Sequence, residues 1–139
     1  MQPTVRTLFV YPQKKAPPLA LTEVRAAESG LEGDWHAKSN GNRRQILVLS
    51  GDVLREFELA PGSLFENMTI DGIDVMQLKP GQQLHIGDVV LEVTLPCEPC
   101  IQMERIRQGL QRALNGKRGM FVRVIKPGTL RVDDAVRQL

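Results

Sequence analysis

Aromatic side chains are scarce: one Trp, one Tyr and four Phe make up 4% of the 139 residues. That leaves little surface on which nucleobases could stack, and so weighs against a reader of single-stranded nucleic acid. A dominant charge is missing too, since 18 Lys and Arg face 16 Asp and Glu for a net +2. Such a balance carries no signature of a nucleic-acid or membrane-surface partner. No apolar run approaches the roughly 18 residues of a membrane span. Residues 1–10 contain no apolar signal core followed by a small-residue cleavage site. Two cysteines are too few for a disulfide framework. These absences predict one domain over residues 1–139, at a cytoplasmic, reducing address, without a nucleic-acid or membrane partner.

Apolar residues make up 42% of the chain, enough for a core. Their pattern is mostly that of short strands. Residues 7–11 and 19–24 read as strands around an exposed loop that holds Pro12, Pro17 and Pro18. Residues 29–43, with Gly30, Gly33, Asn40, Gly41 and Asn42, read as a long loop, and long loops within compact domains are often functional. The run at 45–49 (QILVL) predicts a buried strand. Ser50 is placed to cap a short helix with Val53, Leu54 and Phe57 on one face, ending at Pro61-Gly62. Residues 68–70 form a further short strand.

Residues 83–86 and 89–95 flank Gly87-Asp88 and predict a tight hairpin. Met103, Ile106, Leu110 and Ala113 recur at helical spacing, interrupted by Gly109 and stopped at Asn115-Gly116. Residues 120–125 and 129–132 supply two last strands around a Pro127-Gly128 turn. Many short strands with few helices predict a mainly β fold, a barrel or sandwich.

The segment Pro96-Cys97-Glu98-Pro99-Cys100 separates a strand from that helix. At a helix N-terminus, free N–H groups and the dipole favour a thiolate, and two prolines fix the approach of the backbone. A preorganised thiolate suits a soft metal or persulfide chemistry. Three other readings stand beside this one: buried apolar filler, a Cys97/Cys100 redox dithiol, or a structural zinc. The zinc reading would need ligands beyond His36 and His85, which lie far apart in sequence.

Loop residues Asp34 and His36, and the Phe65-Glu66-Asn67 step, combine turn chemistry with groups that can read a polar ligand. Arg43 and Arg44 can grip a phosphate or lie solvated on the surface. Arg105, Arg107, Arg112, Lys117, Arg118 and Arg123 read as the wet face of the helix and the loop after it.

In order along the chain stand residues 30–36 (GLEGDWH), 44–49 (RQILVL), 61–69 (PGSLFENMT), 78–88 (LKPGQQLHIGD), Pro99-Cys100 and 119–124 (GMFVRV). This ordered set, spanning residues 29–134, resembles the MOSC family, the C-terminal domain type of molybdenum-cofactor sulfurases. The resemblance implies a compact β-barrel with a cleft for molybdenum cofactor, a phosphate-bearing molybdopterin. It further implies Cys100 as thiolate ligand to the metal or as sulfur acceptor, and Asn67 as a cofactor-contacting amide. Arg43 or Arg44 would meet the phosphate or pterin, and Ser50 would lie at the strand end beside them. Asp34 and His36 match a family motif without an assigned role.

The function so implied is sulfur handling or reduction of N-hydroxylated compounds, served by an electron-donor or sulfur-donor protein. The alternatives are a non-catalytic sulfur or cofactor carrier, or the Cys97/Cys100 dithiol protein. Two features depart from relatives that reduce N-hydroxylated compounds. Those relatives carry an additional N-terminal β-rich domain, and Cys97 is an extra thiol.

Overall fold

In the computed structural model, which describes residues 2–139, the QILVL run lies at the centre of the molecule. It forms β5 (Ile46–Ser50), hydrogen-bonded to β6 (Met68–Asp71) in parallel and to β9 (Met120–Lys126) antiparallel. Both of its faces are covered. Ile46 and Val48 enter the main core, while Leu49 joins a smaller cluster with Val53, Leu54, Leu64, Met103, Leu110 and Leu114. A strand buried on both sides has no polar face, which is why its sequence is continuously apolar and does not alternate.

The remaining strands are β1 (Thr4–Val10), β2 (Leu19–Leu21), β3 (Glu23–Ala27), β4 (Gly30–Leu31), β7 (Gln83–Ile86), β8 (Val89–Pro96), β10 (Gly128–Arg131) and β11 (Val136–Gln138). Eight strands form one curled sheet in the order β11-β7-β8-β9-β5-β6-β1-β2, and three form a second, β10-β3-β4. The two ends of the large sheet meet. Val5 N–H donates to Asp134 O (2.9 Å), Asp133 N–H to Val5 O (2.8 Å) and Val136 N–H to Pro3 O (2.8 Å). These bonds close the curl near the start of β1, as the mainly β, barrel-like expectation required. Val5, Ile70, Leu84, Ile86, Leu91 and Val122 fill the interior, each fully buried, and Val24, Leu31 and Leu130 of the small sheet complete it.

The Gly87-Asp88 hairpin forms as read, with Ile86 opposite Val89. Elsewhere the sequence reading and the structure differ for identifiable reasons. Residues 19–24 are two strands, because the chain leaves β1 at Leu21 and crosses at Thr22 to pair with β10. Gly128 is in β10, so the turn expected at Pro127-Gly128 is a passage between sheets made at Pro127 alone. Helix α1 (Gly51–Glu56) ends before Pro61, and Ser50 does not cap it. The Ser50 hydroxyl instead accepts from Val75 N–H (2.8 Å) and donates to Ile73 O (3.1 Å).

The single helix expected after Cys100 is two, α2 (Gln102–Ile106) and α3 (Leu110–Ala113). Gly109 adopts φ +86° between them, and Glu104 accepts from Gly109 N–H (2.9 Å) and Gln111 N–H (2.8 Å), fixing the elbow. The long helix dipole invoked for Cys100 is therefore absent, since α2 is barely one turn. No helix among the described residues is long and apolar enough to cross a membrane.

Candidate functional site

At the far end of β1, Tyr11 carries the chain out of the barrel into the Lys14-Lys15 loop. Beside it lie the turn after β4 that holds Asp34, Trp35 and His36, and the Phe65-Glu66-Asn67 step that leads into β6.

Asp34 is the hub of this end, and its side chain is wholly buried. It accepts hydrogen bonds from Tyr11 N–H (2.9 Å), Asn67 Nδ2 (3.2 Å) and His36 N–H (3.3 Å), and lies 3.1 Å from His36 Nδ1. A carboxylate acceptor at Nδ1 places the ring proton there and leaves Nε2 free of any protein partner.

Asn67 ties the hub to the barrel. Its Oδ1 accepts from Leu47 N–H (3.0 Å), and its Nδ2 donates to Phe9 O (3.1 Å) as well as to Asp34. The amide is fully buried with both ends engaged, so it holds β1, β5 and the Asp34 turn in one register. Glu66, also fully buried, accepts from Gly62 N–H (2.7 Å) and Leu64 N–H (3.1 Å). Burial pushes its carboxyl up, against the opposing pull of those backbone donors and of Arg118. Phe65 takes φ +61° in the same tight loop. Burial, followed by the nearby Glu66 and Asp34 charges, likewise raises the Tyr11 phenol above its ordinary value. Its hydroxyl donates to Glu66 O (3.0 Å).

Over this scaffold opens a cavity of about 160 Å³. Cys100 reaches it from the β8–α2 connection, and His36, Trp35 and Phe65 wall it. Arg118 enters from the segment before β9, and Lys14 and Lys15 stand at its edge. Cys100 is exposed, whereas Cys97 is half-buried, its N–H bonded to Gly119 O (2.9 Å). Burial pushes the Cys97 thiol up, against the opposing pull of Arg118, and Cys100 is close enough to add to the rise. Both cysteines are free thiols.

Arg118 overturns its reading as a wet-face residue. It is 4% exposed, and its Nε and Nη1 have no hydrogen-bond partner. Arg123 departs from that reading as well: it sits on β9, its Nη2 paired with Glu92 at 2.6 Å. Arg43, Arg44 and Ser50 are not brought to the cavity. Arg43 is exposed and its carbonyl accepts from Thr94; Arg44 lies 5.7 Å over the Phe121 ring. Ser50 lines a separate depression beside Gln77 and Lys117.

The structure places Cys100, Asp34, His36 and Asn67, each named from the sequence, in one neighbourhood, and adds Arg118, Tyr11, Lys14 and Lys15, which the sequence reading did not place there. No local signal distinguishes Arg118 from its basic neighbours, because its burial is created by distant segments. Among the described residues, no three His, Cys, Asp or Glu gather as a metal-binding group, so the structural-zinc alternative has no ligand set.

A family model, MOSC domain, matches residues 33–137. In fold the chain is similar to the YuaD protein from Bacillus subtilis, with TM-score 0.81 and 21% identity, covering 98% of this chain and 94% of that one. It is also similar to YiiM from Geobacillus stearothermophilus, with TM-score 0.79 and 17% identity over 99% of this chain and 75% of that one. YiiM from Escherichia coli gives TM-score 0.73 and 21% identity, over 98% and 69% respectively. No curated protein matches the sequence.

Proposed function

The chain belongs to the MOSC domain family, and from that premise we propose that it binds molybdenum cofactor through Cys100, for sulfur handling or the reduction of N-hydroxylated compounds. The observation that carries this reading is the opening of the Cys100 thiol into a cavity that also holds an unpartnered, buried guanidinium. The donor chemistry suits the group. A thiolate is a soft ligand for the metal, and a buried cation with unmade hydrogen bonds suits a phosphate-bearing molecule. A metal delivered inside a cofactor asks the protein for one donor, so a site with a single open thiol is sufficient.

When bound, the cofactor would supply two-electron redox or sulfur-transfer chemistry at the metal. The protein's own part is positioning. Pro96 and Pro99 limit the backbone freedom around Cys97 and Cys100. Asp34 orients His36, whose free Nε2 can give or take a proton at the cavity wall, and Asn67 holds Asp34. Trp35 and Phe65 wall one side of the cavity.

The test is production in a host that makes molybdenum cofactor, followed by measurement of molybdenum and pterin per chain in wild type and Cys100→Ala. Near-stoichiometric metal in the wild type that is lost in the variant supports the assignment. Equal metal in both proteins, or none in either from a host proven to load a related domain, sinks it. A Cys97→Ser variant separates the dithiol alternative: the molybdenum reading expects it to load normally.

A further inference from the structure

We propose that Cys97 is the resolving thiol of Cys100: when a peroxide oxidises Cys100, Cys97 closes a reversible disulfide that withdraws the Cys100 sulfur as a ligand. The disulfide chemistry stands on the two thiols alone, and only its effect on ligand binding rests on the cofactor reading.

The pair has the asymmetry that such chemistry needs. Cys100 is exposed and lines the cavity, so a small oxidant meets it first. Cys97 is half-buried and does not line the cavity, so the molecule holds one sulfur at the site and one behind it. Both are free thiols, and the chain has no third cysteine to compete.

Reach is set by the tether. Glu98 and Pro99 alone separate the two, so their Cα atoms lie at most about 11 Å apart even when fully extended. A disulfide needs roughly 4.4–6.8 Å, a closure of a few ångströms. The backbone permits it, because residues 97–100 belong to no helix or strand. The segment is pinned at its ends, where Cys97 N–H donates to Gly119 O and Cys100 O accepts from Met103 N–H, both at 2.9 Å. Between those pins, the N–H groups of Glu98 and Cys100 donate to no group among the described residues, and Pro99 has none. Closure therefore breaks no ladder bond. The Cys97 Sγ itself makes one weak contact, to Glu98 O at 3.8 Å.

The chemistry balances. The Cys100 thiolate attacks a peroxide oxygen, the S–O bond forms as the O–O bond breaks, and hydroxide leaves a sulfenic acid behind. Cys97 gives its proton to solvent, helped by the Arg118 charge that acts on it against burial. Its thiolate attacks Cys100 Sγ, so the S–S bond forms, the S–O bond breaks and a second hydroxide departs. Two thiols and one peroxide become a disulfide and two waters, with two electrons passing from sulfur to oxygen. A dithiol reductant reverses the step by exchange. Without Cys97 the sulfenic acid stays open and proceeds to sulfinic acid, which thiols do not reduce.

The experiment treats reduced, cofactor-free protein with equimolar hydrogen peroxide and reads intact mass. Wild type should lose two hydrogens, cleavage after Glu98 should leave its two peptides joined, and dithiothreitol should restore the starting mass. Cys97→Ser should instead gain oxygen at Cys100, be trapped by dimedone several-fold more than wild type, and recover less on reduction. The wild-type mass needs no variant, so the test holds even if Cys97→Ser does not fold.

Oxygen gained at Cys100 of wild type without loss of two hydrogens, or a disulfide formed only between chains, overturns the proposal. Molybdenum uptake from isolated cofactor separates the two readings. Uptake by the reduced protein, lost in the disulfide form and regained on reduction, is the expected result. Equal uptake by both forms overturns the withdrawal of the ligand. A disulfide that forms in a protein taking up no metal in either state sinks only the cofactor assignment. Metal uptake that depends on Cys100, in a protein that forms no internal disulfide, sinks only the resolving role of Cys97.

Discussion

Cys97 and Cys100 stand three residues apart in surroundings that demand different behaviour. Cys100 is exposed at the cavity, while Cys97 is half-buried with its thiol pushed up by that burial. Alkylation with iodoacetamide, followed by peptide mass spectrometry, should therefore label Cys100 first at pH 7. Cys97 should react quickly only in alkali above the ordinary thiol value, since the thiolate is the reacting form. Equal rates at pH 7 would refute this contrast.

Asn67 carries a second expectation. Its replacement by Ala strands Leu47 N–H, Phe9 O and one bond to Asp34 in a dry interior. We expect a loss of about 3 kcal/mol in urea denaturation, from several unmade buried bonds at about 1–3 kcal/mol each and partial relaxation. At this scale the sequence was informative wherever chemistry is written locally. The PCEPC segment singles out Cys100, and Asp34 with His36 falls in a loop rich in turn residues. Arg118 was illegible because a basic residue among basic residues reads as surface, and its burial is set by segments distant in sequence.

Among the elements, those set by nearest neighbours were read correctly. The β7–β8 hairpin has alternating apolar positions and a Gly-Asp turn, so its register follows from twelve contiguous residues or so. Strand β11 was invisible, because three residues with one apolar side chain carry no period; β7 and the start of β1 supply its bonds. The predicted helix broke where Gly109 adopts a left-handed conformation, and the apolar period continued across the break only in sequence. Ile106, counted in that period, is exposed.

The elbow should respond to acid. The amides of Gly109 and Gln111 hold the Glu104 carboxyl below its usual range. Its folded state then binds the proton less readily than the unfolded state. The stability it contributes is present above the ordinary carboxylate value, about 4.3, and is lost as pH falls through the lowered one. Amide exchange at Gly109 and Gln111, corrected for intrinsic rate, should accelerate across that window in wild type. Glu104→Gln should show no such step.

Gly119 is a sharper constraint. It sits at φ +117°, and an added Cβ would lie 2.7 Å from Val48 O, next to the Val48–Met120 pairing of β5 and β9. Gly119→Ala should destabilise by about 3 kcal/mol, combining left-handed strain with overpacking. Wild-type stability in this variant would contradict the close approach.

Across the whole molecule, the barrel is closed at one end and the cavity lies at the other, and β1 connects the two. From Val5 to Tyr11 the chain runs as extended strand, about 20 Å at roughly 3.3 Å per residue. Val136 is fully buried at the closed end, and its N–H bonds to Pro3 O. Val136→Ala removes two methyl groups from a packed interior and should cost about 2 kcal/mol of stability. Sites separated by more than about 10 Å, with no shared partner, perturb one another little. Molybdenum per folded chain, measured well below the lowered melting temperature, should therefore match wild type. If ligand binding falls in proportion to stability, closure and cavity are one cooperative unit, and the loops around Asp34 depend on the far end of the barrel. If stability falls and binding holds, β5, β6 and β9 suffice to present the site. The hydrogen bonds of Asn67 favour that second outcome, because they fix the cavity floor to β1 and β5 without any contribution from β11.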